Sequence, residues 1–107
     1  MDKERVFEIA HFFKSCLEEK GVRVSKLILF GSQAALTAGD ESDIDLAVVS
    51  KDFEGQSLLK RIELTGKAEW ETIKKFVVPL DVIGLTPGEF DNETRLIVSY
   101  AKKGIEV

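Results

Sequence analysis

Three short apolar runs, separated by segments with helical periodicity, constrain the fold of this chain more than any other feature. Each run has the length and the aliphatic content of a buried strand, and the segments that carry them are 23–30, 43–50 and 76–84. The segments between and around them, 2–20, 53–75 and 89–103, space their apolar residues as helices do. The order predicted is therefore helix, strand, strand, helix, strand, helix, with a further short strand expected at 105–107.

The apolar positions also predict which residues form the core. In the first helix one face carries the apolar residues, and Gly21 ends the helix. These residues are Val6, Ile9, Ala10, Phe13 and Leu17. In the helix at 53–75 the predicted core positions are Leu59, Ile62, Trp70 and Ile73. In the last helix the apolar residues are Leu96, Ile97 and Tyr100. Pro79 predicts that part of the third strand lies at an edge of the sheet or lacks a ladder partner, because proline cannot donate to a ladder.

Length and charge narrow the classes of protein that are possible. The chain has 107 residues, which predicts a single domain over 1–107. Its 19 acidic and 15 basic residues give a net charge of −4, which argues against nucleic acid as a direct ligand. A single cysteine, Cys16, cannot form an internal disulfide, and no apolar run is long enough to span a membrane. The expected location is the cytoplasm.

Two carboxylates share one face of the second predicted strand. Asp43 and Asp45 are two residues apart, so both side chains point to the same side. Clustered carboxylates repel each other unless a cation lies between them, and oxygen ligands favour Mg²⁺ or Mn²⁺ over zinc. Asp81 interrupts the third apolar run, where a lone carboxylate is costly to bury. If the second and third strands are neighbours, Asp81 joins the pair; otherwise it lies on a half-exposed edge.

A glycine–serine pair follows the first predicted strand. Gly31 allows a phosphate to approach the backbone, and the Ser32 hydroxyl can donate to a phosphate oxygen. An ordinary strand-to-helix turn, with Ser32 as the helix cap, is the alternative that this dipeptide alone leaves open.

Together these residues carry a family resemblance. Gly31-Ser32, ten residues, and then Asp43-Ile44-Asp45 match the Gly-Ser-x10-Asp-x-Asp signature of the DNA polymerase β-like nucleotidyltransferase superfamily. In its short length the chain resembles the minimal nucleotidyltransferases of that superfamily, over about residues 1–105. The resemblance implies an α+β fold in which helices pack on one side of a mixed sheet.

The resemblance also implies the roles of the site residues. Asp43, Asp45 and Asp81 would be the catalytic carboxylates and would bind two Mg²⁺ ions that carry ATP or another nucleoside triphosphate. Asp81 would act as, or assist, the general base, and Gly31 and Ser32 would hold the β- and γ-phosphates. An acceptor hydroxyl would attack the α-phosphate in line and release pyrophosphate.

Minimal members are often paired with a small all-helical protein of the HEPN type in toxin–antitoxin systems, and some transfer AMP to that partner. The resemblance therefore implies a HEPN-type partner, and a core this small is also compatible with a homodimer or a hetero-oligomer. An adenylyltransferase that acts on a small molecule is a further alternative, but such enzymes generally add a helical domain.

The chain departs from the pattern directly after the serine. Many minimal members carry two arginines there, whereas this chain reads Gln33-Ala34-Ala35-Leu36. This leaves two hypotheses: an active nucleotidyltransferase, or a weak or inactive antitoxin-like subunit that acts by contact with its partner. Lys26 and Lys51 are near the motif in sequence and are candidates to replace the missing charge.

Overall fold

In a computed structural model, which describes residues 2–34, 43–92 and 95–107, the chain forms a four-stranded sheet with helices on both faces. The helices are α1 (Lys3–Glu19), α2 (Gly31–Ala34), α3 (Leu58–Phe76), α4 (Pro87–Asn92) and α5 (Leu96–Lys102). The strands are β1 (Lys26–Phe30), β2 (Ile44–Val49), β3 (Leu80–Leu85) and β4 (Ile105–Glu106), and a 3₁₀ turn covers Lys51–Phe53. Among the described elements no helix is both long and apolar enough to cross a membrane.

The sheet is mixed, with the strand order β3-β2-β1-β4. Strand β1 pairs antiparallel with β2 and with β4, whereas β2 and β3 are parallel. The crossover from β2 to β3 contains α3, as a parallel pair requires. The expected α+β fold with a mixed sheet is confirmed, and β3 lies at an edge as Pro79 predicts.

Alternate residues of the strands fill two cores, one on each face of the sheet. The two long helices, α1 and α3, pack on the face to which Leu29 and Leu46 point. The opposite face, to which Ala47 and Val49 point, is covered by α4 and α5. The expectation that helices lie on one side is thus correct for the long helices and needs correcting for the short ones. The reason is that the central strands are apolar on both faces, so both faces need a cover.

Helix α1 agrees with the sequence prediction. Asp2 caps it by accepting a hydrogen bond of 2.8 Å from the backbone N–H of Arg5. All five predicted core residues of this helix are buried.

Helix α3 turns a different face to the sheet than its apolar residues predict. Leu59, Ile62 and Trp70 are 68%, 61% and 64% exposed, so their assignment to the core is wrong, while Ile73 packs partly against it. The residues that this helix buries are Arg61, Thr65, Ala68, Thr72 and Phe76. The two threonine hydroxyls donate to backbone carbonyls one turn earlier, at 3.2 and 2.8 Å, so their burial leaves no unpaired donor.

The segment predicted as one final helix is two helices. Thr86 and Glu89 form a capping box at the start of α4, in which each backbone N–H donates to the other side chain at 2.8 and 3.1 Å. Arg95 then interrupts the helical backbone in an extended conformation before α5. In α5 the buried residues are Val98 and Ala101, whereas Leu96 and Tyr100 are exposed.

Candidate active site

The parallel pairing of β2 and β3 places Asp45 directly beside Asp81. The two residues are register partners, so their side chains leave the same face of adjacent strands. Asp43, two residues before Asp45 and just outside β2, lies on that same face and hydrogen bonds to the carboxyl group of Asp81. The three carboxylates singled out in the sequence are therefore brought together by the fold.

Two of these carboxyl groups, those of Asp45 and Asp81, have raised pKa values and so hold protons more tightly than isolated ones. Burial raises the pKa of Asp45, and the charges of Asp81 and Asp43 raise it further. The hydrogen bond between Asp81 and Asp43 raises the pKa of Asp81, with burial and the charge of Asp43 adding to it. Among the described residues no lysine, arginine or histidine forms an ion pair with any of the three. The cluster is thus an acidic site that lacks a cation of its own.

A fourth carboxyl group, Glu69 of α3, lies near the edge of this cluster. Burial and then the charge of Asp81 raise the pKa of Glu69. Sequence reasoning missed this residue, because its position relative to the sheet depends on how α3 is rotated.

Gly31 is in contact with the carboxyl group of Asp45. Gly31 has a φ of +73°, and a side chain built on it would overlap Asp45 Oδ2. The register of β1 and β2 causes this approach, because Phe30 is the partner of Asp45. The backbone of Ser32 belongs to α2, while its side chain lies outside the described residues. Gly31 and Asp45, which are the glycine and the second aspartate of the signature, are therefore in direct contact.

A groove of about 700 Å³ opens beside Asp45 and Asp81. Its apolar floor comes from β1 and β3, and its far wall comes from the C-terminal end of α5. The residues of the floor and wall are Phe30, Val82, Ile83, Ile97, Tyr100, Lys103 and Gly104. An apolar groove with charged groups at defined points is the usual form of a small-molecule site.

Neither lysine suggested by the sequence lies at this groove. Lys26 starts β1 and Lys51 follows β2, and both are at the end of the hairpin opposite to Gly31 and Asp45. Lys26 Nζ lies 5.4 Å from the centre of the Phe90 ring. Lys103 of the α5 terminus lines the groove instead. The sequence does not single out Lys103, because nothing local shows that this helix end lies at the groove.

The three carboxylates suit a hard cation in their donor chemistry. Within the described part of the chain, no group of three or more His, Cys, Asp or Glu side chains is arranged to hold a metal by itself. Mg²⁺ commonly binds through one or two carboxylates and completes its shell with substrate phosphates and water. The paired Asp45 and Asp81, with raised pKa values and no cationic partner, fit a metal of that kind.

Comparison with known proteins identifies the family. Residues 9–106 match the nucleotidyltransferase domain family, so the chain belongs to that family. This confirms the resemblance seen in the sequence and makes the protein a member of a transferase family. Proteins with this domain generally use a nucleoside triphosphate and a divalent metal. None of the curated proteins compared with the chain matches it in sequence.

Solved structures share the fold. A protein from Sulfolobus solfataricus, described as a candidate nucleotidyltransferase, is similar to this chain with a TM-score of 0.64 and 21% identity, over 96% of this chain and 82% of that one. BolA1 from Arabidopsis thaliana is similar with a TM-score of 0.57 and 26% identity, over 76% and 94%. BolA1 from Mus musculus gives 0.59 and 28%, over 84% and 74%. These likenesses concern the arrangement of helices and strands.

Proposed function

We propose that this protein transfers a nucleoside monophosphate, AMP, from a nucleoside triphosphate to a hydroxyl group on a HEPN-type helical partner, as one half of a toxin–antitoxin pair. The observation that carries the transfer is the register pairing of Asp45 with Asp81 beside Gly31, at the mouth of a nucleotide-sized groove. Family membership supports nucleotidyl transfer in general. The identity of the nucleotide, of the acceptor and of the partner goes beyond what family membership supports.

The proposed reaction is an in-line displacement at the α-phosphate. The acceptor oxygen forms a bond to the α-phosphorus, the bond from that phosphorus to the bridging oxygen breaks, and pyrophosphate leaves with that oxygen. Asp81 is exposed and lies on an edge strand, so it is placed to take the proton of the acceptor hydroxyl. Bound Mg²⁺ would neutralise charge that develops on the phosphates, and Asp43, Asp45 and Asp81 would hold two such ions.

The phosphates would lie against the turn after β1. Gly31 lets the nucleotide approach the backbone there, and Ser32 belongs to the same turn. The apolar residues that line the groove, which include Ile83 and Ile97, would take the base and ribose.

The exposed apolar face of α3 supports a protein partner. Leu58, Leu59, Ile62 and Trp70 are each more than half exposed, on a helix whose buried side includes Arg61, Thr65 and Thr72. Contiguous apolar surface of this kind is typical of a binding face. Residues three or four apart on this helix form a stripe that an apolar face of another helix can cover, which fits an all-helical partner.

A contact-only antitoxin-like subunit is the second candidate function. The observation that favours it is the sequence Gln33-Ala34-Ala35-Leu36, which lacks the arginines of many minimal members. In that case the face of α3 would do the binding, and the carboxylate cluster would contribute no catalysis.

One experiment separates the two functions. The protein is incubated with Mg²⁺, each labelled nucleoside triphosphate in turn and the product of the adjacent gene, beside an Asp43→Asn, Asp45→Asn variant. Asp91→Asn is the matched control, since Asp91 is an exposed carboxylate of α4 that does not line the groove. Label from ATP on the partner, lost in the double variant and kept in the control, supports the transfer.

The other outcomes contradict the transfer. A stable complex without label, in which wild type and double variant neutralise the partner equally, establishes the contact function instead. Absence of both label and complex overturns both functions.

A further inference from the structure

We infer that Lys103 is a phosphate-binding residue, which supplies from the far wall of the groove the positive charge that the turn after β1 lacks. The inference rests on the proposed function, because it assigns a ligand group to the same groove. Among the described residues that line the groove, Lys103 carries the only cationic side chain. Asp45 and Asp81 are the anionic ones.

The backbone at Lys103 is held in place from two sides. Gly104 packs so closely on β1 that an added side chain would overlap the carbonyl oxygen of Leu29 and approach the Phe30 Cβ to 3.0 Å. Directly after it, Ile105 pairs with Leu29 in the sheet. The end of α5 is thus fixed against the strand that leads to Gly31, so the position of Lys103 relative to the carboxylates is built into the fold.

The side chain of Lys103 is available to a ligand. Its backbone N–H is used in the fold, where it donates to the carbonyl of Tyr100 at 3.2 Å. The side chain is exposed, and it makes no ion pair with any residue in the described ranges. Lys102 differs, because its Nζ lies 4.7 Å from the centre of the Phe90 ring and 4.0 Å from Asp91. The side chains of the adjacent residues Lys102 and Lys103 therefore lie in different surroundings.

The negative charges of the groove and of a triphosphate require a cationic side chain such as that of Lys103. A triphosphate brings several negative charges into a groove that already contains carboxylates, and like charges in a partly buried site repel strongly. Lysine binds phosphate as a compact point charge on a long flexible stem, so it can reach from a helix end to a ligand. Lys103 would offset the phosphates furthest from the metal ligands, where the missing arginines would otherwise act.

The test compares Lys103→Met with Lys102→Met by titration calorimetry of Mg-ATP, without an acceptor, at several salt concentrations. Lys103→Met should weaken binding by about 10- to 100-fold, the range for losing one charged hydrogen-bonding partner. Its affinity should also depend less steeply on salt. Lys103→Arg should restore both properties, and Lys102→Met should bind as the wild type does.

Several results would overturn the inference. Unchanged affinity and salt dependence in Lys103→Met would do so, as would an equal loss in Lys102→Met. Failure of the proposed function can be distinguished from failure of this inference. If the wild type binds Mg-ATP through Lys103 but labels no partner, the inference stands and the proposed transfer is overturned. If the wild type labels its partner and Lys103→Met leaves the KM for ATP unchanged, the transfer stands and the inference about Lys103 is overturned. If the wild type binds no nucleotide, both are overturned.

Discussion

Gly31 and Asp45 are in contact: a Cβ atom added to Gly31 would overlap the carboxylate oxygen Oδ2 of Asp45. The two residues belong to neighbouring antiparallel strands or their immediate ends, and the register of Phe30 with Asp45 brings them together. Gly31 has a positive φ as well, so both its backbone conformation and its surroundings require glycine. The position of the carboxylate proposed to bind the metal is thereby coupled to the turn proposed to hold the phosphates.

Substituting Gly31 with alanine should therefore lower the rate of transfer strongly and destabilise the fold moderately. The strained φ costs about 1–3 kcal/mol of unfolding free energy. The added methyl group also displaces the Asp45 carboxylate, and a displacement of about 1 Å in a catalytic group can lower the rate about 100-fold. Urea unfolding measures the first effect, and labelling of the partner measures the second.

Gly55→Ala is the matched control for this substitution. Gly55 has the same φ of +73°, but nothing lies within 4 Å of an added side chain. It should lose a similar amount of stability and keep its activity. Equal activity in the two variants would show that the contact with Asp45 does not matter.

Asp45→Asn should stabilise the metal-free protein at neutral pH. The pKa of Asp45 is raised in the fold by burial, so the folded chain binds this proton more tightly than the unfolded chain does. The sign follows from linkage: stability falls as pH rises from the ordinary aspartate range through the raised pKa. Without metal, the variant should match the wild type near pH 3 and have a melting temperature a few degrees higher at pH 7, measured by calorimetry in EDTA.

Asp52 provides a control of opposite sign. Its hydrogen bonds with Arg23 lower the pKa of Asp52, so its contribution to stability is present at neutral pH and is lost as pH falls through the lowered pKa. Asp52→Asn should be less stable than the wild type at pH 7. Addition of Mg-ATP should raise the melting temperature of the wild type and of Asp52→Asn but not of Asp45→Asn. Destabilisation by Asp45→Asn at pH 7 in EDTA would contradict the acidic-cluster interpretation.

Arg61→Met should destabilise the protein by about 2 kcal/mol or more. The Arg61 side chain is only 9% exposed, and its Nη1 lies 2.6 Å from Glu89 Oε1 and 3.1 Å from the carbonyl oxygen of Gly84. Loss of one partner of a buried pair usually costs about 3–5 kcal/mol, and the 34% exposure of Glu89 lowers that figure.

Guanidinium chloride or urea unfolding measures the effect of Arg61→Met. Lys60→Met, one residue away in an exposed pair with Glu63, should change stability by less than about 0.5 kcal/mol. A similar small effect for both substitutions would show that Arg61 does not anchor α3 to β3 and α4.

Trp70 should report partner binding directly. It is the only tryptophan and is 64% exposed, so its emission in the free protein should be red-shifted and readily quenched by acrylamide. Binding of the helical partner over α3 should shift the emission to the blue and protect it from quenching. Ile62→Lys should leave the unfolding free energy within about 0.5 kcal/mol and prevent the shift, because Ile62 is exposed on the same helix.

The same substitution on another surface controls for added charge. Leu96→Lys places a lysine at an exposed apolar position of a different helix, α5. It should leave the fluorescence shift intact. If Leu96→Lys prevents the fluorescence shift and Ile62→Lys does not, the partner binds to α5 and not to α3.

The strands and the shared face of the candidate residues Asp43 and Asp45 could be predicted from the sequence because the relevant signals are local. Apolar runs marked β1, β2 and β3, and period-two alternation placed Asp43 and Asp45 on one face. The partnership of Asp81 with Asp45 depended on strand order, which the sequence leaves open and the fold supplies.

The orientation of α3 could not be read from the sequence, because the apolar stripe on this helix points outward. Threonines at positions 65 and 72 face the sheet and pair their hydroxyls within the helix, so burial costs them little. Arg61 is buried through a partner, Glu89, that is distant in sequence. Periodicity identifies an apolar face, but it does not say whether that face meets the chain's own sheet or another molecule.

The position of β3 in the sheet has a consequence for the order in which the site is assembled during synthesis. Gly31 and Asp45 belong to a hairpin, so they can meet as soon as β2 has left the ribosome. Asp81 joins them only after the whole of α3 has been made and β3 has docked in parallel beside β2. A nascent chain therefore presents the glycine turn and the first two carboxylates before it acquires the third, and the three carboxylates come together only once β3 has paired with β2.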